Sequence, residues 1–184
     1  MMSKATKPEK TRVATVWLSG CSGCHMSFLD QDELLVDLAK KIKLVYSPIV
    51  DIKVFPQNVD VTLIEGAVAN EEQLAMLKEV RSKTKVLISL GDCAVTGNVT
   101  ALRNILKNSD KAVLEMAFVD TSEVNPRVPT GVPRLLKKVL PLHEVVKIDY
   151  YIPGCPPPAE LINYVITELL GGRIPNMEGR SKYG

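Results

Sequence analysis

Apolar positions along this 184-residue chain fall into two patterns. Short, nearly unbroken apolar runs suit strands covered on both faces, as in a parallel sheet. One such run occupies residues 13–18 and closes at Ser19 and Gly20. A second covers 59–64 and stops at Glu65 and Gly66, and a third covers 85–90 and stops at Gly91. Residues 145–149 form a fourth. Elsewhere the spacing is helical: Phe28, Leu34, Leu35 and Leu38 predict a helix reaching Lys40 and Lys41, whose charges suit a C-terminus. Leu74, Leu77 and Val80 predict another, capped by Asn70, with Gln73 in the capping-box position. Further helices are expected over 98–106 and over Ala159–Leu170, the latter stopped by Gly171 and Gly172. The segment 48–55 is ambiguous, a strand being one reading.

Strands alternating with helices in this way predict a doubly wound α/β domain, a parallel sheet with helices on both faces. The domain spans residues 12–172, between a flexible basic tail (1–11) and a C-terminal tail (173–184). Residues 108–141 break the pattern, with Pro126, Pro129, Pro133 and Pro141 set among Asn, Ser and Arg. So long an extended insertion is either functional and ordered by a partner, or a surface excursion with a short helix near Pro133.

Composition narrows the classes. At 46% hydrophobic and 24% charged, the chain is an ordinary globular protein. A net charge of +2 gives no electrostatic footprint for nucleic acid or an anionic membrane surface. No apolar run approaches the roughly 18 residues of a membrane span. The basic N-terminus lacks the apolar core of a secretion signal. These features predict a cytoplasmic protein, a setting in which cysteines serve metal or redox chemistry more often than disulfides.

Its four cysteines follow the strands. Cys21 and Cys24 come after the first, Cys93 after the third and Cys155 after the fourth. An open α/β sheet gathers ligands just past the C-terminal ends of its strands, so four thiolates distant in sequence can meet there. Glycines at 20, 23, 91 and 154 let these loops turn sharply and let backbone N–H groups approach sulfur. Pro156, Pro157 and Pro158 stiffen the last loop. Such a set fits a [4Fe-4S] cluster. A Cys₄ zinc module also fits the donors, although zinc sites commonly use two close pairs and one CxxC is present. A dithiol oxidoreductase would explain Cys21 and Cys24 between a strand and a helix, but not Cys93 or Cys155.

The motifs Cys21-Ser22-Gly23-Cys24 with Phe28-Leu29, Glu65-Gly66, Gly91-Asp92-Cys93-Ala94 with Gly97, and Pro153-Gly154-Cys155-Pro156-Pro157 span nearly the whole domain. They resemble those of [NiFe] hydrogenase small subunits and, more distantly, the 20 kDa cluster-bearing subunit of NADH:quinone oxidoreductase. The CxxC of the first motif resembles the hydrogenase branch, since the respiratory relatives carry adjacent cysteines there. With no cysteine after Cys155 and no twin-arginine leader, the chain looks like the compact small subunit of a cytoplasmic, bidirectional, NAD-linked hydrogenase. The resemblance implies a flavodoxin-like fold, with one [4Fe-4S] cluster held by Cys21, Cys24, Cys93 and Cys155. It also implies a large subunit bearing the nickel–iron centre, and iron–sulfur and flavin diaphorase subunits that reduce NAD⁺. On that reading the chain relays electrons and has no complete active site of its own. A relay subunit of a respiratory complex is the alternative.

Glu65 has two readings. It is a solvated strand-end carboxylate, or, as the resemblance implies, it lies beside the cluster at the large-subunit interface. His25 is expected next to the site or at an interface without serving as a ligand, and Asp92 to bond its own loop's backbone. Trp17 suits core or interface, and His143 a structural or exposed position. The loop that would hold an FMN phosphate is occupied by Cys21 and Cys24, which argues against FMN bound here in the usual flavodoxin manner, and the resemblance implies FMN on a partner subunit. The chain lacks a GxGxxG fingerprint, which puts NAD binding elsewhere as well.

Overall fold

The computed structural model describes residues 10–183. In its first half the chain runs through β1 (Thr11–Trp17), α1 (Gly23–Leu29), α2 (Glu33–Lys41), β2 (Ile42–Tyr46), β3 (Val59–Glu65), β4 (Val68–Asn70) and α3 (Glu71–Lys83). It continues through β5 (Thr84–Leu90), α4 (Asp92–Thr96), a 3₁₀ helix (Asn98–Ile105), α5 (Ser109–Glu115), β6 (Leu135–Leu140), β7 (Tyr150–Ile152) and α6 (Ala159–Leu170). Five strands form one parallel sheet in the order β2-β1-β3-β5-β7, and β4 and β6 pair antiparallel beside it. This is the doubly wound α/β fold that the alternation of elements predicts.

The near-continuous apolar strands are explained by burial on both faces. On one face Ala14, Val16, Ile64 and Leu87 pack under Leu77 and Val80 of α3. On the other, Val13, Leu63, Ile88 and Leu90 pack under Leu161, Ile162, Val165 and Ile166 of α6, with Leu38 of α2. Each fully buried aliphatic side chain of this kind stabilises the fold by about 1.5–3 kcal/mol. Asn70 caps α3 as expected, accepting the Gln73 N–H at 2.8 Å. Gln73 reaches back one residue further than a capping box requires, its Oε1 accepting from the Ala69 N–H at 2.9 Å and the Ser19 hydroxyl at 3.0 Å.

Several elements differ from the sequence expectation. The helix expected through Phe28 and Leu38 is two helices, divided at 30–32, where Asp32 takes a positive φ of 48°. Buried Gln31 donates to the Phe28 carbonyl there and closes α1. Helix α2 passes directly into β2, which the lysine-rich sequence hides, while 48–55 holds no strand. The helix expected over 98–106 is a 3₁₀ helix, Asn98–Ile105.

The insertion over 108–141 is partly regular, with α5 near its start and β6 at its end, and no helix lies near Pro133. The strand expected over 145–149 lies later, at β7. Asp149 closes the sheet just before it, its N–H donating to the Leu87 carbonyl and its carboxylate accepting the Leu87 N–H at 2.8 Å. Of the expected N-terminal tail, residues 1–9 lie outside the described residues, and β1 already begins at Thr11. The C-terminal segment folds back along α6: Arg173 pairs with Glu168, and the Arg180 guanidinium lies 4.4 Å above the Tyr164 ring. Among the described residues no helix is long and apolar enough to cross a membrane.

Asp149 also accepts from Arg81 Nη1 at 2.6 Å. Burial alone would raise its carboxyl pKa, but the hydrogen bonds from Arg81 and Leu87 and the Arg81 charge hold it below the usual carboxylate value. A depressed folded-state pKa adds stability above the unfolded-state pKa, and that stability is lost as pH falls through the folded one. Asp149→Asn is therefore expected to unfold at lower urea than the parent chain, by about 1–2 kcal/mol at neutral pH. The gap should begin to narrow near about pH 4, the unfolded value of an aspartate, and close as pH falls through the lower folded value. Urea titrations at a series of pH values check this.

Candidate metal centre

All four strands that precede cysteine or Glu65 loops run parallel, so their C-terminal ends meet at one edge of the sheet. Cys21, Cys24, Cys93 and Cys155 line a single cavity of about 100 Å³ there, together with Glu65 and Asp92. Cys21 and Cys155 are exposed at its mouth, while Cys24 and Cys93 are partly covered. Among the described residues, no three His, Cys, Asp or Glu side chains close tightly enough to hold one metal ion. The thiols border a volume instead of converging on a point.

Glycine is required at two positions around this cavity. A Cβ on Gly91, whose φ is +82°, would sit 2.2 Å from Cys24 Sγ, so only glycine admits that sulfur. Gly66, at φ +81°, lets the chain turn against Ser19, where a Cβ would lie 2.7 Å from the Ser19 carbonyl oxygen.

Three buried side chains tie the loops together. Glu65, 2% exposed at the end of β3, accepts the His25 N–H of α1 through Oε2 at 2.8 Å. Asp92, 3% exposed at the start of α4, accepts the Gly154 N–H at 2.6 Å, which fixes the Cys155 loop to the Cys93 loop. The Asp92 N–H in turn donates to the Gly154 carbonyl at 2.9 Å. Ser27 of α1 donates to the Pro157 carbonyl at 2.5 Å. The His25 ring packs edge-on against Trp17 at 5.1 Å, and its Nδ1 lies 3.1 Å from Glu65 Oε2.

The electrostatics set what this arrangement can do. Burial foremost, then the negative charge of Glu65 and the other three thiols, push the Cys24 thiol up to about 12. Burial and the neighbouring Cys155 and Cys21 also raise Cys93. Several thiolates and a carboxylate cannot coexist in so small a space without compensating positive charge, so a cationic centre would have to displace the thiol protons. The donor chemistry, sulfur in four places around a space with little room for water, is that of an iron–sulfur or zinc site. A thiol-exchange enzyme needs the opposite shift, a thiol lowered toward ambient pH.

Comparison with known proteins agrees with this geometry. Residues 21–169 match the family described as NADH ubiquinone oxidoreductase, 20 Kd subunit. The delta subunit of the NAD-reducing hydrogenase HoxS from Cupriavidus necator is 41% identical over 175 residues, covering 92% of this chain and 83% of that one. The chain belongs to the hydrogenase branch of this family, as an oxidoreductase subunit. A subunit of the F420-non-reducing hydrogenase vhu from Methanocaldococcus jannaschii is 36% identical across 90% of this chain, which spans 58% of that relative's length. A crystal structure of an NAD⁺-reducing [NiFe]-hydrogenase in the H₂-reduced state contains a chain with TM-score 0.90 and 39% identity, covering 96% of this chain and 100% of that one. A [NiFeSe] hydrogenase from Desulfovibrio vulgaris Hildenborough, at 17% identity and TM-score 0.54, shares the fold; the match covers 89% of this hydrogenase subunit and 63% of that chain.

The cavity thus brings together all four cysteines expected from the sequence, and Glu65 with them. Buried as it is, Glu65 is not a solvated strand end. Asp92 bonds the backbone of the Cys155 loop, where its own loop was expected. His25 is buried beside the site, Trp17 is 38% exposed at its edge, and His143 packs against Tyr151. Ser27 carries no signal in sequence, because its partner lies 130 residues away. Asp92→Ala leaves the buried Gly154 N–H without its carboxylate and is expected to cost about 1–3 kcal/mol. Asp92→Asn, which keeps an acceptor oxygen, should lose less. Urea midpoints of the two variants measured side by side check the order.

Proposed function

We propose that this subunit carries one [4Fe-4S] cluster on Cys21, Cys24, Cys93 and Cys155. In this role it relays electrons between a nickel–iron centre on a large subunit and diaphorase subunits that reduce NAD⁺, in the cytoplasm. The observation that carries the reading is the convergence of four thiols from three loops on one cavity at the sheet edge. Their spread around a volume favours a multi-iron centre over a single zinc ion, whose sulfur ligands all lie about 2.3 Å from one point. When bound, such a cluster supplies one-electron storage and transfer.

The chain's own residues do the rest. The cysteines hold the four corners, Asp92 and Ser27 keep the loops in register, and the Glu65 charge biases the local potential. Anaerobic analysis of the purified protein is expected to give about four iron and four sulfide per chain, with broad visible absorption bleached on reduction. A colourless protein with one zinc ion would identify a structural zinc module. Reversible Cys21–Cys24 disulfide formation without metal would identify a dithiol enzyme.

Glu65 offers a second test. Its carboxylate lies in a nearly dry environment, where charge is weakly screened. A reduced cluster carries more negative charge than an oxidised one, so removing a neighbouring negative charge favours reduction. Glu65→Gln keeps the size and an acceptor for the His25 N–H, so the complex should assemble. Its cluster midpoint, followed by EPR during redox titration, is expected to shift positive. An unshifted midpoint in the assembled variant would place the carboxylate outside the cluster's field.

A further inference from the structure

The 3₁₀ helix that follows Cys93 has its polarity reversed. With three residues per turn, side chains at i and i+3 eclipse and form three rows along the helix. The row of Thr100 and Arg103 and the row of Ala101 and Asn104 face the molecule. Arg103 donates to the Ala69 and Leu136 carbonyls and to the Ser109 hydroxyl. Asn104 brackets Val139, donating to its carbonyl and accepting its N–H, both at 2.8 Å. The third row, Val99, Leu102 and Ile105, points outward and is 61%, 65% and 88% exposed. A helix held by its polar rows that presents an aliphatic one to water reverses the usual arrangement of a surface helix.

We infer that this aliphatic row is a docking surface for the subunit that bears the nickel–iron centre. The inference rests on the partnership proposed above. Two features select this occupant. The first is continuity with the cavity: Gly97 N–H donates to the Cys93 carbonyl and Ala101 N–H to the Gly97 carbonyl, so two consecutive hydrogen-bonded turns join the row to a site cysteine. Three side chains are far too few for a stable interface, which needs about 800 Å² per partner. The row therefore works as one part of a wider contact, and the adjoining mouth of the cavity, with exposed Cys21 and Cys155, is the surface that an electron-exchanging partner must cover.

The second feature is charge. Lys111, Lys137 and Lys138 line a groove with Asn104, Leu106 and a single acid, Asp110, at the C-terminal end of the row, and exposed Lys107 follows it in the chain. These lysines fit a partner surface with an apolar centre and an acidic rim, and they oppose the approach of a second copy of this chain, which would bring like charges together.

The test uses co-expressed complexes of the full chain carrying Leu102→Glu or Ile105→Glu. Val36→Glu serves as control, since Val36 is 62% exposed on α2, away from this surface. The stripe variants are expected to bind the nickel–iron subunit at least about tenfold more weakly, a hot-spot-sized loss. Their iron content and visible spectrum should match the parent, and the control should bind normally. Leu102→Ser and Ile105→Ser give the same readout if a glutamate variant fails to fold. Binding equal to the parent overturns the inference. So does a loss confined to the diaphorase subunits, to self-association or to sedimentation with anionic vesicles. A parent chain that holds iron and pairs with the nickel–iron subunit, beside variants that pair equally well, sinks the docking row alone. A parent chain without iron or without that pairing sinks the proposed function as well.

Discussion

Three loops that belong to different strands can present four sulfurs to one space only if their separation is fixed to within a fraction of an ångström. No covalent link does this, since all four cysteines are free. The sheet supplies a coarse alignment by ending its parallel strands at one edge. Fine alignment falls to Glu65, Asp92 and Ser27, each of which bonds a main-chain group of a loop not its own. Burial makes these bonds decisive, because a main-chain N–H that lost its carboxylate there would have no water to replace it. The Gly91 position completes the constraint, since it is the lack of a side chain on one loop that lets Cys24 of another come in.

The same buried carboxylates create the electrostatic character of the site. Burial foremost, then Glu65 and the clustered thiols, raise Cys24, so the metal-free form keeps the Cys24 proton until a positive centre displaces it. A carboxylate this deep is costly to bury, and Glu65 offsets part of the cost by accepting the His25 main-chain N–H. Alignment and charge are therefore coupled. Replacing Glu65 by an apolar residue would remove both the loop tie and the field, which is why an isosteric amide separates them.

Much of this was legible in the sequence, and the failures have physical causes. Strands buried on both faces, such as β1, β3 and β5, announce themselves as continuous apolar runs. The cysteines and glycines stand out because their chemistry and backbone freedom are specific. Strand β6 was hidden because Leu135, Leu136, Val139 and Leu140 repeat like a helix. It is extended because Asn104, Arg103 and Ser109 satisfy its main chain from outside. Strand β2 was hidden by Lys43 and exposed Leu44 on a sheet edge, and β7 by Asp149, which takes a ladder position with its side chain. The partners of Asp92 and Ser27 lie 62 and 130 residues away, and no local pattern encodes them.

Of the hidden strands, β6 lies outside the main sheet. The β4–β6 pair and the 3₁₀ helix form a small layer beside the site, in which side-chain-to-backbone bonds add to the packing of Val68, Leu136 and Leu140 on the main core. Such a layer needs little core of its own, as the small cluster of Ala67, Ala69 and Val139 illustrates. That economy frees the helix to turn its aliphatic row outward without unravelling, since its stability comes from Arg103 and Asn104. An ordinary amphipathic helix at this position would have to commit the same residues to burial. The reversed polarity is thus a consequence of how the layer is anchored, and it leaves an apolar surface where the proposed cluster would meet its neighbour.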